Sequence, residues 1–158
     1  MKYSGIDSAP PQGVFAARWT FIKANWPNIN PFVSKNMPLT MSFDQFQYAF
    51  VNSLPLAKQQ AAYEEFVVPE SRRVPAESLT STARIDFHKP GAPLLLVAGS
   101  SDHIIPASLN YSNFAKYKRP GSVTDVKEFP GRTHFTIGQD GWEEVADYVS
   151  TWLDKVLK

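Results

Sequence analysis

The chain has 158 residues, 43% hydrophobic and 20% charged, which is the size of one folded domain and too apolar for a disordered segment. Its 16 basic and 15 acidic residues leave a net charge of +1, with no basic excess to hold a phosphate backbone, so nucleic acid is not an expected partner. The absence of cysteine excludes disulfides, thiolate metal sites and a cysteine nucleophile, and apolar runs far short of the roughly 20 residues of a membrane helix, with no signal-peptide pattern, predict a cytoplasmic protein without a membrane partner.

Thirteen prolines and 13% aromatic residues predict many short elements separated by punctuated loops. Residues 1 to about 38 read as irregular and rich in Pro and Asn, and residues 39–90 as helical. Ser42 and Gln45 are spaced to cap a helix through Phe43, Phe46 and Phe50. Pro55 opens a second helix through Ala57, Ala61, Ala62 and Phe66, stopping at Pro69, and Pro75 to Thr82 reads as a third. Pro93-Leu94-Leu95-Leu96-Val97-Ala98, between Gly91 and Gly99, has the continuous apolar character of a strand buried on both faces. Ser108 to Tyr117 is predicted helical, closed by Pro120-Gly121, and Val123 to Phe129 is a more polar strand near a sheet edge. The last helix carries Trp142, Val145, Val149, Trp152 and Val156 at helical spacing, with Asp140 and Glu143 placed as a capping box. Strand, helix, strand, helix implies a parallel pair with a right-handed crossover.

Ligands of open α/β sheets bind beyond the carboxyl ends of the strands. Asp102 follows the buried strand there, and His134 follows the next one, on adjacent loops. A carboxylate beside an imidazole fixes its tautomer and steadies the imidazolium, as a general base requires. Asp is also a common turn residue, and His134 can equally be a loop residue without a role. His103 reads as structural or solvent-facing and His88 as exposed; three dispersed histidines lack metal-ligand spacing, so neither metal nor other cofactor is expected.

The stretch Pro93 to Pro106, with Leu94-Leu95-Leu96-Val97-Ala98-Gly99 leading to Asp102, resembles the acid-bearing strand of α/β-hydrolases, and Phe129-Pro130-Gly131-Arg132-Thr133-His134-Phe135 resembles their base loop. Ile6-Asp7-Ser8-Ala9-Pro10-Pro11-Gln12-Gly13-Val14 is similar to the strand end and loop before the cap of esterase- and haloperoxidase-like members. The resemblance implies a truncated α/β fold: residues 1–13 a first core strand and loop, 14–90 a helical cap-like region, 91–158 the C-terminal core, with a short parallel sheet of about three strands. It implies Asp102 as acid, His134 as base, and a small-molecule ester as substrate, with cap aromatics such as Trp19, Phe21, Trp26 and Phe43 either lining an acyl pocket or packing the cap.

The family places its nucleophile in G-x-S-x-G ahead of acid and base, and no such motif occurs in these residues. Ser8, in Gly5-Ile6-Asp7-Ser8-Ala9, is followed by Pro10-Pro11 where a helix should begin. Ser100 and Ser101 sit beside the acid as turn residues, and a water activated by the pair needs no serine at all. Without the preceding half of the sheet an open apolar edge remains, which predicts a homodimer or a complementing chain. A non-catalytic interaction module is the competing reading.

Overall fold

The computed structural model describes residues 3–14, 18–30, 32–78, 80–89, 91–117 and 121–157. The elements run β1 (Tyr3–Ile6), α1 (Trp19–Ile29), β2 (Pro38–Leu39), α2 (Phe43–Ala49), α3 (Leu56–Phe66), β3 (Glu70–Ser71), α4 (Arg73–Ser78) and a 3-10 turn at Ser81–Ala83. They continue with β4 (Leu94–Gly99), α5 (Ala107–Lys116), β5 (Thr124–Phe129) and α6 (Trp142–Leu157). This is a mixed α/β fold whose main sheet has the order β1-β4-β5, every pair parallel.

The apolar run of β4 follows from its central place. Ile6 is in register with Val97 on one side and Phe129 with Gly99 on the other, and Leu95 to Gly99 are all buried. Leu95 and Val97 pack with Phe129, Val145 and Trp152, so α6 covers one face of the sheet. Alternation turns Leu96 and Ala98 to the opposite face, and α5 packs against β4 and β5. The Trp152 indole N–H donates to the Asp125 carboxylate at 2.6 Å, which fastens α6 to the polar strand β5.

The capping box of α2 is present: Gln45 N–H donates to Ser42 Oγ at 3.3 Å and Ser42 N–H to Gln45 Oε1 at 2.9 Å. Pro55 precedes α3, as its spacing predicts. Gln59, buried on α3, donates to the carbonyls of Val51 and Leu54 at 3.0 and 2.8 Å and so holds the α2–α3 loop. Phe46, Val51 and Ala62 form a second core into which Phe50 and Phe135 pack, joining the helical segment to the loop after β5.

Four differences from the sequence expectations have physical causes. The supposedly irregular start contains α1, an 11-residue helix despite Pro27 inside it. Its Phe21 packs with Val14, Ile105 and Leu109, and this tertiary contact overrides weak local propensity. The helix expected over Pro75 to Thr82 is split into α4 and the 3-10 turn, where the Thr80 hydroxyl donates to Glu77 C=O at 2.7 Å and accepts from Thr82 N–H. A two-residue antiparallel pair, β2 with β3, had no strand signal. Asp140 does not cap α6: its carboxylate pairs with Lys58, and Gly141, at φ 74°, directly precedes the helix. Pro120, expected to close α5, lies outside the described residues. No helix among the described residues is long and apolar enough to cross a membrane.

Candidate active site

Parallel pairing brings the ends of β4 and β5 together, and two loops cross there. Ser100 N–H donates to Phe129 C=O at 3.1 Å, Ser101 N–H to Arg132 C=O at 2.9 Å, and Gly131 N–H to Ser100 Oγ at 2.8 Å. The crossing needs a glycine: a Cβ at Gly99 would lie 2.8 Å from the Arg132 carbonyl carbon and 3.0 Å from Thr133 O. Arg132, buried, donates to Asp140 C=O at 2.7 Å and also to the Gly141 carbonyl, anchoring the second loop to the start of α6.

These loops place Asp102 and His134 in contact. His134 Nδ1 lies 2.8 Å from Asp102 Oδ2. The other carboxylate oxygen accepts from Ile104 N–H at 2.7 Å and Ile105 N–H at 2.8 Å. Asp102 is 3% exposed and held by these bonds, so a proton on Nδ1 would point at a fixed acceptor and leave Nε2 unprotonated in the neutral ring. Phe50 meets the His134 ring edge-on, centroids 5.0 Å apart, and Phe135 N–H donates to Phe50 C=O, so α2 braces the ring from the helical side. Among the described residues no side chain is hydrogen-bonded to Nε2.

A third titratable group joins them. Asp7 follows β1 as Asp102 follows β4, and its N–H continues the ladder to Val97 C=O at 3.0 Å. It is 8% exposed and takes the left-handed conformation, φ 44°. Oδ1 accepts from Gly99 N–H at 3.1 Å and Oδ2 lies 2.7 Å from Thr136 Oγ1. Burial pushes the Asp7 carboxyl up to about 6; the Thr136 bond opposes this, Asp102 adds to it, and His134 and the Gly99 N–H oppose it. One ligand atom from each of Asp7, Asp102 and His134 lies within 4.8 Å of the others. That spacing is short enough to hold a cation, and each of the four carboxyl oxygens also has a hydrogen-bond partner among the described groups. In the sequence Asp7 marks only a strand end, and its one signal is being an acidic residue at the carboxyl end of a third parallel strand.

Two cavities meet at His134. The larger, about 600 Å³, is lined by Met41, Phe46, Phe50, Phe66 and Phe135 among others; the second, about 540 Å³, by Asp7, Pro10, Val14, Phe21 and Ile105 among others. Asn25, Ile104 and His134 border both, and Asn25 donates to Phe21 C=O at 2.9 Å, which fixes it on α1. Of the aromatics weighed as acyl-pocket residues, Phe21 alone borders these cavities. Trp19 and Trp26 are 74% and 49% exposed, and Phe43 packs edge-on against Tyr63. His103 sits away from the pair, its Nδ1 2.8 Å from Tyr48 C=O, and His88 is exposed. Ser100 ties the two loops together, and the Ser8 hydroxyl lies over Gly5.

Among solved structures, the chain is similar to a monoacylglycerol lipase from Paleococcus ferrophilus, at TM-score 0.61 and 17% identity over 97% of this chain. The fold is α/β-hydrolase-like. No protein-family model matches the sequence, and the search of curated proteins finds no relative. The chain spans 58% of the length of that lipase. In this α/β-hydrolase-like fold, Asp102 and His134 occupy the loops after the second and third strands of the described sheet, and Asp7 the loop after the first.

Proposed function

We propose that the chain carries the acid and base of a carboxylic-ester hydrolase. The observation that carries this reading is the His134–Asp102 bond, which engages Nδ1 and leaves Nε2 without a side-chain partner among the described residues, on a ring that borders two largely apolar cavities. Nε2 would take the proton from a hydroxyl attacking the ester carbonyl. Asp102 would steady the imidazolium, which then returns the proton to the departing alkoxide. The attacking hydroxyl is a water held against Nε2, a serine of this chain, or a serine supplied by a complementing chain. The larger cavity, with Phe46, Phe50, Phe66 and Phe135 on its wall, suits the apolar part of an ester.

Hydrolysis of p-nitrophenyl acetate and butyrate by the wild-type chain, His134→Ala and Asp102→Ala tests this. Both variants are expected to lose roughly 100-fold or more. Rates equal to wild type would overturn the catalytic role and support the interaction-module reading. Labelling of a serine in the chain by a fluorophosphonate would replace the water route with that residue.

The assembly proposed for this protein is a homodimer closed over β1. Among the described strands β1 pairs only with β4, and beside it Ile6, Ile137, Trp142, Val145 and Val149 line an apolar groove of about 500 Å³. Light scattering at micromolar concentration is expected to give twice the chain mass; a monomer would overturn the dimer.

A further inference from the structure

Thr136 Oγ1 lies 2.6 Å from Thr133 C=O and 2.7 Å from Asp7 Oδ2. A hydroxyl has one proton for both directions. An ionised Asp7 accepts from Thr136, sharing its one proton with Thr133 C=O, whereas a protonated Asp7 donates to Thr136 and frees that hydroxyl to donate to Thr133 alone. The Gly99 N–H then satisfies Oδ1. An asparagine would make this same set of bonds without ionising, and it tolerates the left-handed backbone as aspartate does. The titratable side chain therefore adds a chemical property that the packing does not need.

We propose, resting on the function argued above, that Asp7 is a positioning residue for His134: a second carboxyl that holds its proton against Thr136 while the site is acidic and, once ionised, presents a second negative charge to the imidazolium. The charged groups acting on Asp7 are Asp102, beyond β4, and His134, beyond β5; its remaining polar contacts are Gly99 N–H and the Thr136 hydroxyl. The rest of its cavity wall is mostly apolar, with Pro10, Val14, Phe21 and Ile105. Burial moves the changeover to about pH 6. Below it Asp102 alone faces the ring. Above it two carboxylates do, and forming the imidazolium becomes easier.

Carbon-13 NMR of the Asp7 carboxyl in the resting chain tests the coupling without any need for activity. The wild-type midpoint is expected near pH 6. Asp102→Asn is expected to lower it and His134→Gln to raise it. A midpoint in the ordinary carboxylate range, or one unmoved by Asp102→Asn and His134→Gln, would overturn the proposal. The pH profile of p-nitrophenyl butyrate hydrolysis supplies the second arm. The ratio of wild-type to Asp7→Asn rates is expected to grow about tenfold from pH 5.5 to 7.5, the effect of one opposite charge at this range. A pH-independent ratio would reduce Asp7 to a structural role. If wild type hydrolyses nothing, the ester reading fails while the NMR arm still decides whether Asp7 is coupled to the pair.

Discussion

Asp102→Asn is expected to lower kcat for ester hydrolysis by roughly 10³–10⁴ while leaving the fold intact, the scale seen when the orienting carboxylate of a serine-protease triad is made an amide. The reason lies in which oxygen is already committed. Oδ1 accepts two backbone N–H groups, from Ile104 and Ile105, and in the variant the amide oxygen must stay there. The amide NH₂ then takes the place of Oδ2 and donates to His134 Nδ1. That forces the ring proton onto Nε2, the atom that must act as base. Hydrogen bonds and volume are conserved, so thermal unfolding should shift little while the rate collapses. Steady-state kinetics with a melting curve on the same sample checks both halves. A rate within threefold of wild type would mean that Nε2 is not the base.

Asp7→Asn is expected to do the reverse: gain stability. The Asp7 carboxyl titrates at about 6 in the folded chain against 3.8 as the ordinary value. The unfolded chain therefore gives up this proton first as pH rises. Between those two values each pH unit lowers the stability of the aspartate form by about 1.4 kcal/mol, and the penalty is complete above the folded value. Aspartate is thus at no disadvantage at pH 3.5 and loses on the order of 2–3 kcal/mol by pH 8. Asparagine keeps the Gly99 and Thr136 bonds and escapes the loss. Urea unfolding of both proteins at pH 4 and pH 8 should show curves close together at the lower pH and the variant ahead at the higher. Equal gaps at both values would show that Asp7 does not titrate in this window.

Much of the core was legible because the local and global signals agree. Leu94 to Gly99 reads as a doubly buried strand, and it is the central one. The period of Val145, Val149 and Trp152 reads as a helix laid on a sheet, and it packs on Leu95 and Val97. The strand-end rule put Asp102 and His134 at one edge, where the structure brings them to 2.8 Å. What escaped depends on contacts between distant segments. Helix α1 is held by Ile105 and Leu109, about 80 residues along the chain, and nothing within Trp19–Ile29 announces that. Asp140 has capping chemistry and the right spacing, yet Lys58 claims its carboxylate. Phe50, read only as a helix residue, and Phe135, read only as part of the loop around His134, turn out to frame the histidine. Asp7 was hidden for another reason: an acidic residue after a strand is ordinary until the folded sheet sets two more titratable groups beside it.

In the mechanism proposed here, Asp102 fixes the His134 ring with its proton on Nδ1 and its lone pair on Nε2. Nitrogen-15 NMR of the imidazole in the neutral form measures this directly, whatever the nucleophile. A protonated Nδ1 and an unprotonated Nε2 are expected in the wild-type chain, exchanged in Asp102→Asn. A wild-type ring with its proton on Nε2, or an even mixture that Asp102→Asn leaves unchanged, would contradict it.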